Sequence, residues 1–194
     1  MKKIILFALT VTLCLSISAP AMAAYDPERD YMAAMLDAVA AGDVTGGYAA
    51  EQMRNEKIDK EETGHLKVAF EDLQLLSKVI YQEAGSNWLS ETWKMSVGEV
   101  VLNRVASGEF PDTVREVVMQ PGQYGGNTRY FRNLQPSRLC AEIALRLLCG
   151  ERVLNEPSVV FQSNGTLGSG VFQKLTDSTL GTTYLCYSSH PEQY

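Results

Sequence analysis

Residues 73–85 have the sequence LQLLSKVIYQEAG, and an apolar stripe runs through them. Leu73, Leu76 and Ile80 follow the i, i+3, i+7 spacing of a helix face that packs on a core. Glu83 continues the same line. The spacing predicts a helix over 71–84 that carries a carboxylate in its last turn.

Glu83 is the residue that an ordinary core helix does not explain. A carboxylate on a buried stripe costs free energy unless it is partnered or protonated. Gly85 predicts the end of the helix directly after it, and negative charge is disfavoured in a last helical turn. Both effects favour the protonated form that a general acid needs at neutral pH. The alternative is a helix-end glutamate that points into water.

The first 23 residues have the composition of a secretory signal peptide. Lys2 and Lys3 form a positive start, an apolar run extends from 4 to about 19, and residues 21–23 (AMA) supply small side chains for cleavage. We therefore expect a mature chain that begins at Ala24, is secreted to the exterior or the cell wall, and has no membrane anchor.

The mature chain is strongly acidic. Removing Lys2 and Lys3 with the leader leaves 15 of the 17 basic residues against 23 acidic ones, a net charge of −8. Such a chain is a poor partner for nucleic acid or an anionic membrane surface. The remaining 171 residues suit one compact domain. Nothing in the sequence implies a partner protein.

Three cysteines remain in the mature chain: Cys140, Cys149 and Cys186. The first two are predicted on one helix, roughly 13 Å apart and too far for a disulfide. Either one pairs with Cys186, or all three are free. The chain has two histidines and no Cys-x-x-Cys motif, so we predict no metal site.

Helical patterns come first along the chain and strand patterns last. Periodicity and caps predict an N-terminal helical arm over 24–68, which either packs on the main domain or is a solvated spacer. The main domain, 69–194, is predicted to be α+β, with helices followed by a small sheet. The predicted helices cover 30–39, 48–57, 71–84, 91–107, 114–119 and 138–149, and the predicted strands cover 158–163, 171–173 and 182–187.

Other polar residues are candidates for a cleft. Glu99 and Asn103 lie on one side of the second core helix, where Gly98 permits a close helix approach that would bring Glu99 towards Glu83. That pair of carboxylates would bear on mechanism. A solvated helix face is the alternative.

Loop residues add hydrogen-bonding and stacking groups. Gln123 and Tyr124 lie between flexible residues, and Gln162 stands near a predicted strand turn. Trp88 offers an aromatic surface of the kind that sugars stack on. An ordinary turn is the alternative at Gln123 and Tyr124.

Four blocks in fixed order carry a resemblance to a known family. They are VIYQEAG (79–85), VGEVVLNRV (97–105), FPDTV (110–114) and QPGQY (120–124). The chain from about Leu73 to Tyr187 resembles the cell wall hydrolase family of the spore-cortex-lytic (SleB) type. Many members continue the first motif as Glu-Ala-Arg-Gly-Glu, whereas Glu83 is followed here by AGSN. Members also often carry a histidine where residues 182–184 are TTY.

The resemblance implies a lysozyme-like α+β domain with a small antiparallel sheet, acting on peptidoglycan. It implies cleavage between N-acetylmuramic acid and N-acetylglucosamine by a lytic transglycosylase or muramidase, with Glu83 as the catalytic acid. Gln123, Tyr124, Glu99, Asn103 and Gln162 are then candidate substrate-binding residues. No cofactor is expected, because protonation suffices for glycoside cleavage. The alternatives are a non-catalytic peptidoglycan-binding module and a secreted structural protein.

Overall fold

Helices precede a small sheet in the part of the chain that the computed structural model describes, residues 27–61 and 68–194. The predicted signal peptide, 1–23, lies outside the described residues. The helices are α1 (Pro27–Ala41), α2 (Val44–Glu61), α3 (Phe70–Ala84), α4 (Glu91–Ala106), α5 (Val114–Met119), α6 (Arg129–Asn133) and α7 (Arg138–Leu148). The strands are β1 (Val159–Ser163), β2 (Val171–Asp177) and β3 (Gly181–Tyr187), followed by a 3-10 turn, Pro191–Gln193.

The predicted helix stripe forms the centre of the core. Leu73, Leu76 and Ile80 of α3 are fully buried. Helix α4 approaches closely, because a Cβ added at Gly98 would lie 2.5 Å from Leu147 Cδ1 and 3.0 Å from Ile80 Cδ1. The close approach predicted from Gly98 is therefore confirmed, and it joins α4 to both α3 and α7.

Side-chain caps fix where the helices begin. Trp93 N–H donates to Ser90 Oγ at 3.2 Å, and Glu116 N–H donates to Thr113 Oγ1 at 3.1 Å. Thr113 also donates to Glu116 Oε2 at 2.9 Å, so this capping pair satisfies donors on both residues. The starts predicted for α4 and α5 from these residues are confirmed.

The sheet is antiparallel with strand order β1-β3-β2. The β2–β3 hairpin closes on Asp177, whose Oδ1 accepts from Thr179 N and Leu180 N, both at 2.9 Å. Strand β2 runs four residues beyond the predicted 171–173, because the hairpin pairing continues to Asp177 opposite Gly181. The α+β class, mainly helical with a small antiparallel sheet, is confirmed.

The two N-terminal helices share the core of the main domain. Met35 and Val39 of α1 are buried in the same cluster as Phe70. Gly47 of α2 lies directly against the Phe70 ring, where any added side chain would clash. For the described part of this segment, residues 27–61, the structure favours the first alternative, an arm that packs on the main domain, and not a solvated spacer. The division of the chain at 68/69 stays a prediction.

Two of the cysteines are buried free thiols, Cys140 and Cys186. A Cys140–Cys186 disulfide is therefore not formed, and Cys149 lies exposed near the end of α7. Among the described helices, none combines the length and apolarity that crossing a bilayer requires.

Candidate active site

Glu83 lies in the last turn of α3, where two depressions of the surface meet. It is solvent-exposed, whereas Leu73, Leu76 and Ile80 are buried. The prediction that Glu83 is buried on the apolar stripe is wrong. The last turn of α3 extends past the core, so its face opens into a groove instead of onto packed side chains.

The first depression, of about 440 Å³, lies on the sheet side of Glu83. Strand residues and the hairpin tip form its walls. Its lining, besides Glu83, consists of Trp93, Gln162, Ser163, Asn164, Leu180 and Thr183. Amides, hydroxyls and an indole are the groups that bind neutral sugars.

The second depression, of about 380 Å³, lies on the α6 side. Its lining, besides Glu83, consists of Tyr81, Gln82, Gly85, Ser86, Tyr130 and Leu180. Leu180, at the β2–β3 turn and 52% exposed, lines both depressions, as Glu83 does. Of the described residues that line the two depressions, Glu83 is the one with a carboxylate, and none is a lysine or arginine.

Two amides contact the Glu83 carboxylate. Gln82 Nε2 donates to Glu83 Oε1 and to the Tyr124 carbonyl oxygen, both at 3.0 Å. Gln162 Nε2 lies 3.5 Å from Glu83 Oε2, at the long limit of a hydrogen bond. Oε1 is thus held from the α3 side, and Oε2 is the oxygen left to face an incoming group.

Arg104 of α4 holds the loop that carries Gln123 and Tyr124. Its side chain is buried, with Nε donating to Val160 O at 2.6 Å and Nη1 donating to Gln123 Oε1 at 2.8 Å. Its guanidinium carbon also lies 5.2 Å from the Tyr124 ring centre. Arg104 therefore links helix α4, strand β1 and the loop next to Glu83.

Two buried polar atoms near this network lack a hydrogen-bond partner within the described structure: Tyr124 Oη and Gln162 Oε1. Burial raises the pKa of Tyr124, with a further rise from the Glu83 charge and an opposing effect of Arg104. Unpaired buried groups beside a groove are candidate contacts for a polar ligand.

Glu99 and Asn103 do not line either depression, so the prediction that they form the cleft is wrong. Glu99 is 1% exposed, and its carboxylate accepts from the backbone N–H groups of residues 153, 154 and 155 at 2.6–3.1 Å. Asn103 Nδ2 donates to Glu156 O and Val159 O, both at 3.0 Å. Both side chains fasten the loop before β1 to α4, which satisfies backbone groups that burial would otherwise leave unpaired.

The other residues predicted for substrate binding differ in whether they line a depression. Gln162 lines the first depression and contacts Glu83, whereas Tyr124 is buried and lines neither depression. Gln123 is exposed, but its amide oxygen is taken by Arg104. Trp88 is exposed and lies outside both linings.

Several lining residues were not predicted from the sequence as part of a cleft: Tyr81, Gln82, Trp93, Ser163, Leu180, Thr183 and Tyr130. Asn164, near the same turn as Gln162, was expected on the same wall and does line the first depression. The position of Gln82 beside Glu83 was the one available signal. Tyr130 lies on α6, which no sequence pattern predicted. Within the described part of the chain, no group of three or more His, Cys, Asp or Glu residues is placed to hold a metal ion.

Comparison with known proteins gives a family match. Residues 89–176, from just before α4 to near the end of β2, match the model of the Cell Wall Hydrolase family. The chain is thus similar to cell wall hydrolases, and the resemblance predicted from the four sequence blocks is confirmed. The matched segment begins six residues after Glu83. No curated protein sequence matches the chain significantly.

Two solved structures of SleB catalytic domains are similar to the chain. The catalytic domain of the Bacillus cereus SleB protein is 21% identical, covers 61% of this chain and 91% of its own, and gives a TM-score of 0.47. The catalytic domain of the germination-specific lytic transglycosylase SleB from Bacillus anthracis is 20% identical, covers 61% and 96%, and also gives 0.47.

Proposed function

We propose that this protein is a secreted peptidoglycan hydrolase that cleaves glycan strands between N-acetylmuramic acid and N-acetylglucosamine, with Glu83 as a lone general acid. The observation that carries the proposal is the position of Glu83 where two uncharged, polar depressions meet. A group that cuts a linear polymer needs a subsite on each side, and this arrangement provides both. The family match supports the cell wall as the source of that polymer.

The proposed reaction is that of a lytic transglycosylase. Protonated Glu83 donates its proton to the glycosidic oxygen, and the bond from that oxygen to C1 of the muramic acid breaks. The C6 hydroxyl of the same sugar attacks C1, and its proton passes to the Glu83 carboxylate. The products are a free 4-hydroxyl on N-acetylglucosamine and a 1,6-anhydromuramic acid, and Glu83 is protonated again.

The composition of the groove favours this route over a two-carboxylate hydrolysis. Retaining enzymes place two carboxyl groups about 5–5.5 Å apart, and inverting enzymes place them about 6.5–9.5 Å apart. Among the described lining residues, Glu83 supplies the one carboxylate, and Glu99 is engaged with the 153–155 backbone. An internal nucleophile, the substrate's own hydroxyl, removes the need for a second carboxylate.

Several side chains are assigned to support the acid. Gln82 is a positioning residue, because it fixes Oε1 and leaves Oε2 to deliver the proton. Gln162 and Tyr124 are assigned to substrate binding through their unpaired oxygens. Gln123 is assigned to holding the loop through Arg104. Action on peptidoglycan also requires the export that the predicted signal peptide would provide.

Digestion of purified peptidoglycan tests the proposal. The mature protein is incubated with sacculi, and released muropeptides are separated and weighed by mass spectrometry. We expect 1,6-anhydro products, with Glu83→Gln at least about 100-fold slower, the smallest effect usual for loss of a general acid. Glu192→Gln, which removes an exposed glutamate of the C-terminal turn, is the matched control and should equal wild type.

The products also separate the alternatives. Reducing-end muramic acid in place of the anhydro form would indicate a muramidase. Binding to sacculi without release would identify a non-catalytic binding module. Equal release by Glu83→Gln and wild type would exclude Glu83 as the acid.

A further inference from the structure

Helix α6 presents a basic rim beside the second depression. Phe131 is buried, at 1% exposure, and fixes which side of the helix faces the core. With successive side chains 100° apart, Arg129 lies opposite Phe131, and Tyr130 and Arg132 lie about 100° to either side of Phe131; all three are exposed. Tyr130 is 67% exposed and lines the depression that contains Glu83. Arg129 and Arg132 do not line the depression themselves, but they are exposed on the same five-residue helix as Tyr130, which does.

The rest of the fold holds this short helix in place. Phe131 N–H donates to Thr128 Oγ1 at 3.1 Å, and the Thr128 hydroxyl donates to Gly125 O at 2.7 Å. At the other end, the Lys78 ammonium group donates to Arg132 O at 2.7 Å. Burial lowers the pKa of Lys78, whose side chain is largely enclosed. The rim is thus fastened at both ends to the loop and to α3.

The two arginines lack the partners that other arginines have. Exposed Arg115, Arg138 and Arg146 each form an ion pair with a carboxylate. Among the arginines whose side chains the structure describes, Arg129 and Arg132 are the two whose guanidinium groups make neither an ion pair nor a hydrogen bond. Two unpaired cations on one rim are unusual in a chain with 23 acidic residues against 17 basic ones.

We propose that Arg129 and Arg132 bind the carboxylates of the stem peptide carried by the muramic acid in the second depression. The inference rests on the proposed function. The sugar rings are neutral and match a groove lining without cations, whereas the anionic groups of peptidoglycan lie on its peptides. Arginine binds a carboxylate through paired N–H donors. The preferred substrate is therefore a glycan that retains its peptides, not a stripped one.

Two forms of one polymer test this specificity. Uncrosslinked glycan strands with tetrapeptide stems are compared with the same strands after an amidase has removed the peptides and the lactyl carboxylates that this exposes have been capped as amides, so that the second polymer carries no anionic group. The variant is Arg129→Gln/Arg132→Gln. The control is Arg115→Gln/Arg152→Gln, which removes the same charge from surfaces outside the groove. kcat and KM are measured for each protein on each polymer, and binding is measured with each protein carrying Glu83→Gln.

We expect wild type to prefer the peptide-bearing strand. The rim variant should raise KM on that strand about tenfold, the size expected of two exposed ion pairs, with kcat unchanged. Its KM on the stripped strand should stay within about twofold, and the control should match wild type on both. Equal effects on the two polymers, or none on the peptide-bearing one, would overturn the proposal.

Failure of the proposed function gives a different pattern. If wild type cuts neither polymer, the hydrolase proposal fails, and binding by the Glu83→Gln proteins decides the arginine site separately. A preference for the peptide-bearing strand that the rim variant abolishes supports the site. Equal binding of both strands overturns it.

Discussion

Replacing Arg104 with lysine tests whether one buried guanidinium organises the loop beside Glu83. The lysine keeps the positive charge but loses the planar fork that reaches Val160 O and Gln123 Oε1 at once. It also changes the cation–π contact with Phe110, whose ring centre lies 5.0 Å from the guanidinium carbon. The change therefore isolates geometry from charge.

The expected cost follows from these contacts. A hydrogen bond to a charged group contributes about 1.5–3 kcal/mol. The lysine ammonium group can keep about one of the two hydrogen bonds that the Arg104 guanidinium makes, so the other is lost. The changed cation–π contact adds about 0.5–1 kcal/mol. Arg104→Lys should lower the free energy of unfolding by about 2–4 kcal/mol. At about 2–4 °C per kcal/mol, Tm should fall by about 8 °C.

Urea denaturation and thermal melting measure this stability change, and muropeptide release at a temperature where both proteins are folded measures activity. We expect kcat to fall as well, because Tyr124 O anchors Gln82, and Gln82 holds Glu83. Arg138→Lys, on an exposed ion pair, is the control and should change stability by less than about 0.5 kcal/mol. If Arg104→Lys changed stability no more than this control, the role assigned to Arg104 would be refuted.

Three further substitutions separate positioning, structure and binding. Gln82→Met removes the donor to Glu83 Oε1 and should lower kcat about tenfold with KM within twofold; a raised KM at normal kcat would contradict the positioning role. Glu99→Gln should lower the free energy of unfolding, measured by urea denaturation, by about 2–4 kcal/mol, because the buried Glu99 carboxylate accepts three backbone N–H groups. The folded variant should keep its activity; lost activity at normal stability would instead support Glu99 as a substrate-binding residue. Tyr124→Phe removes a buried hydroxyl without a partner, so stability should stay within about 0.5 kcal/mol and kcat/KM should fall about fivefold to tenfold; unchanged kcat/KM would show that the hydroxyl does not meet substrate.

Local signals in the sequence predicted most helices because those signals act locally in the fold. Ser90 and Thr113 are N-caps whose hydrogen bonds are made within one turn. Helix α6 escaped prediction because its five residues, RYFRN, are too few for apolar periodicity. Contacts from Thr128 and the distant Lys78 hold it instead. A helix this short depends on tertiary contacts that a sequence pattern does not display.

The candidate site was predictable only where chain neighbours decide it. Glu83 and Gln82 follow from the end of α3, and Gln162 follows from the turn after β1. The helical phase of Glu99 is compatible with a cleft residue. Its carboxylate is bound instead by the backbone N–H groups of residues 153–155, more than 50 residues further along the chain. Helical phase gives the direction of a side chain from its own axis and does not say which segment lies there.

Because Glu83 is exposed, the fold alone does not enclose its carboxylate away from water. From the sequence, burial on the apolar stripe and the position at the helix end were both expected to favour the protonated form of Glu83. The folded chain instead leaves the carboxylate exposed in the groove, contacted by the amides of Gln82 and Gln162. A glycan that fills both depressions would cover Glu83 from the sheet side and the α6 side together, and exclude water from it. In that arrangement the substrate supplies the enclosure that the apolar stripe does not. A strand long enough to occupy both sides should then be cut far faster than a disaccharide that occupies one, and a kcat independent of glycan length would argue against substrate-supplied enclosure.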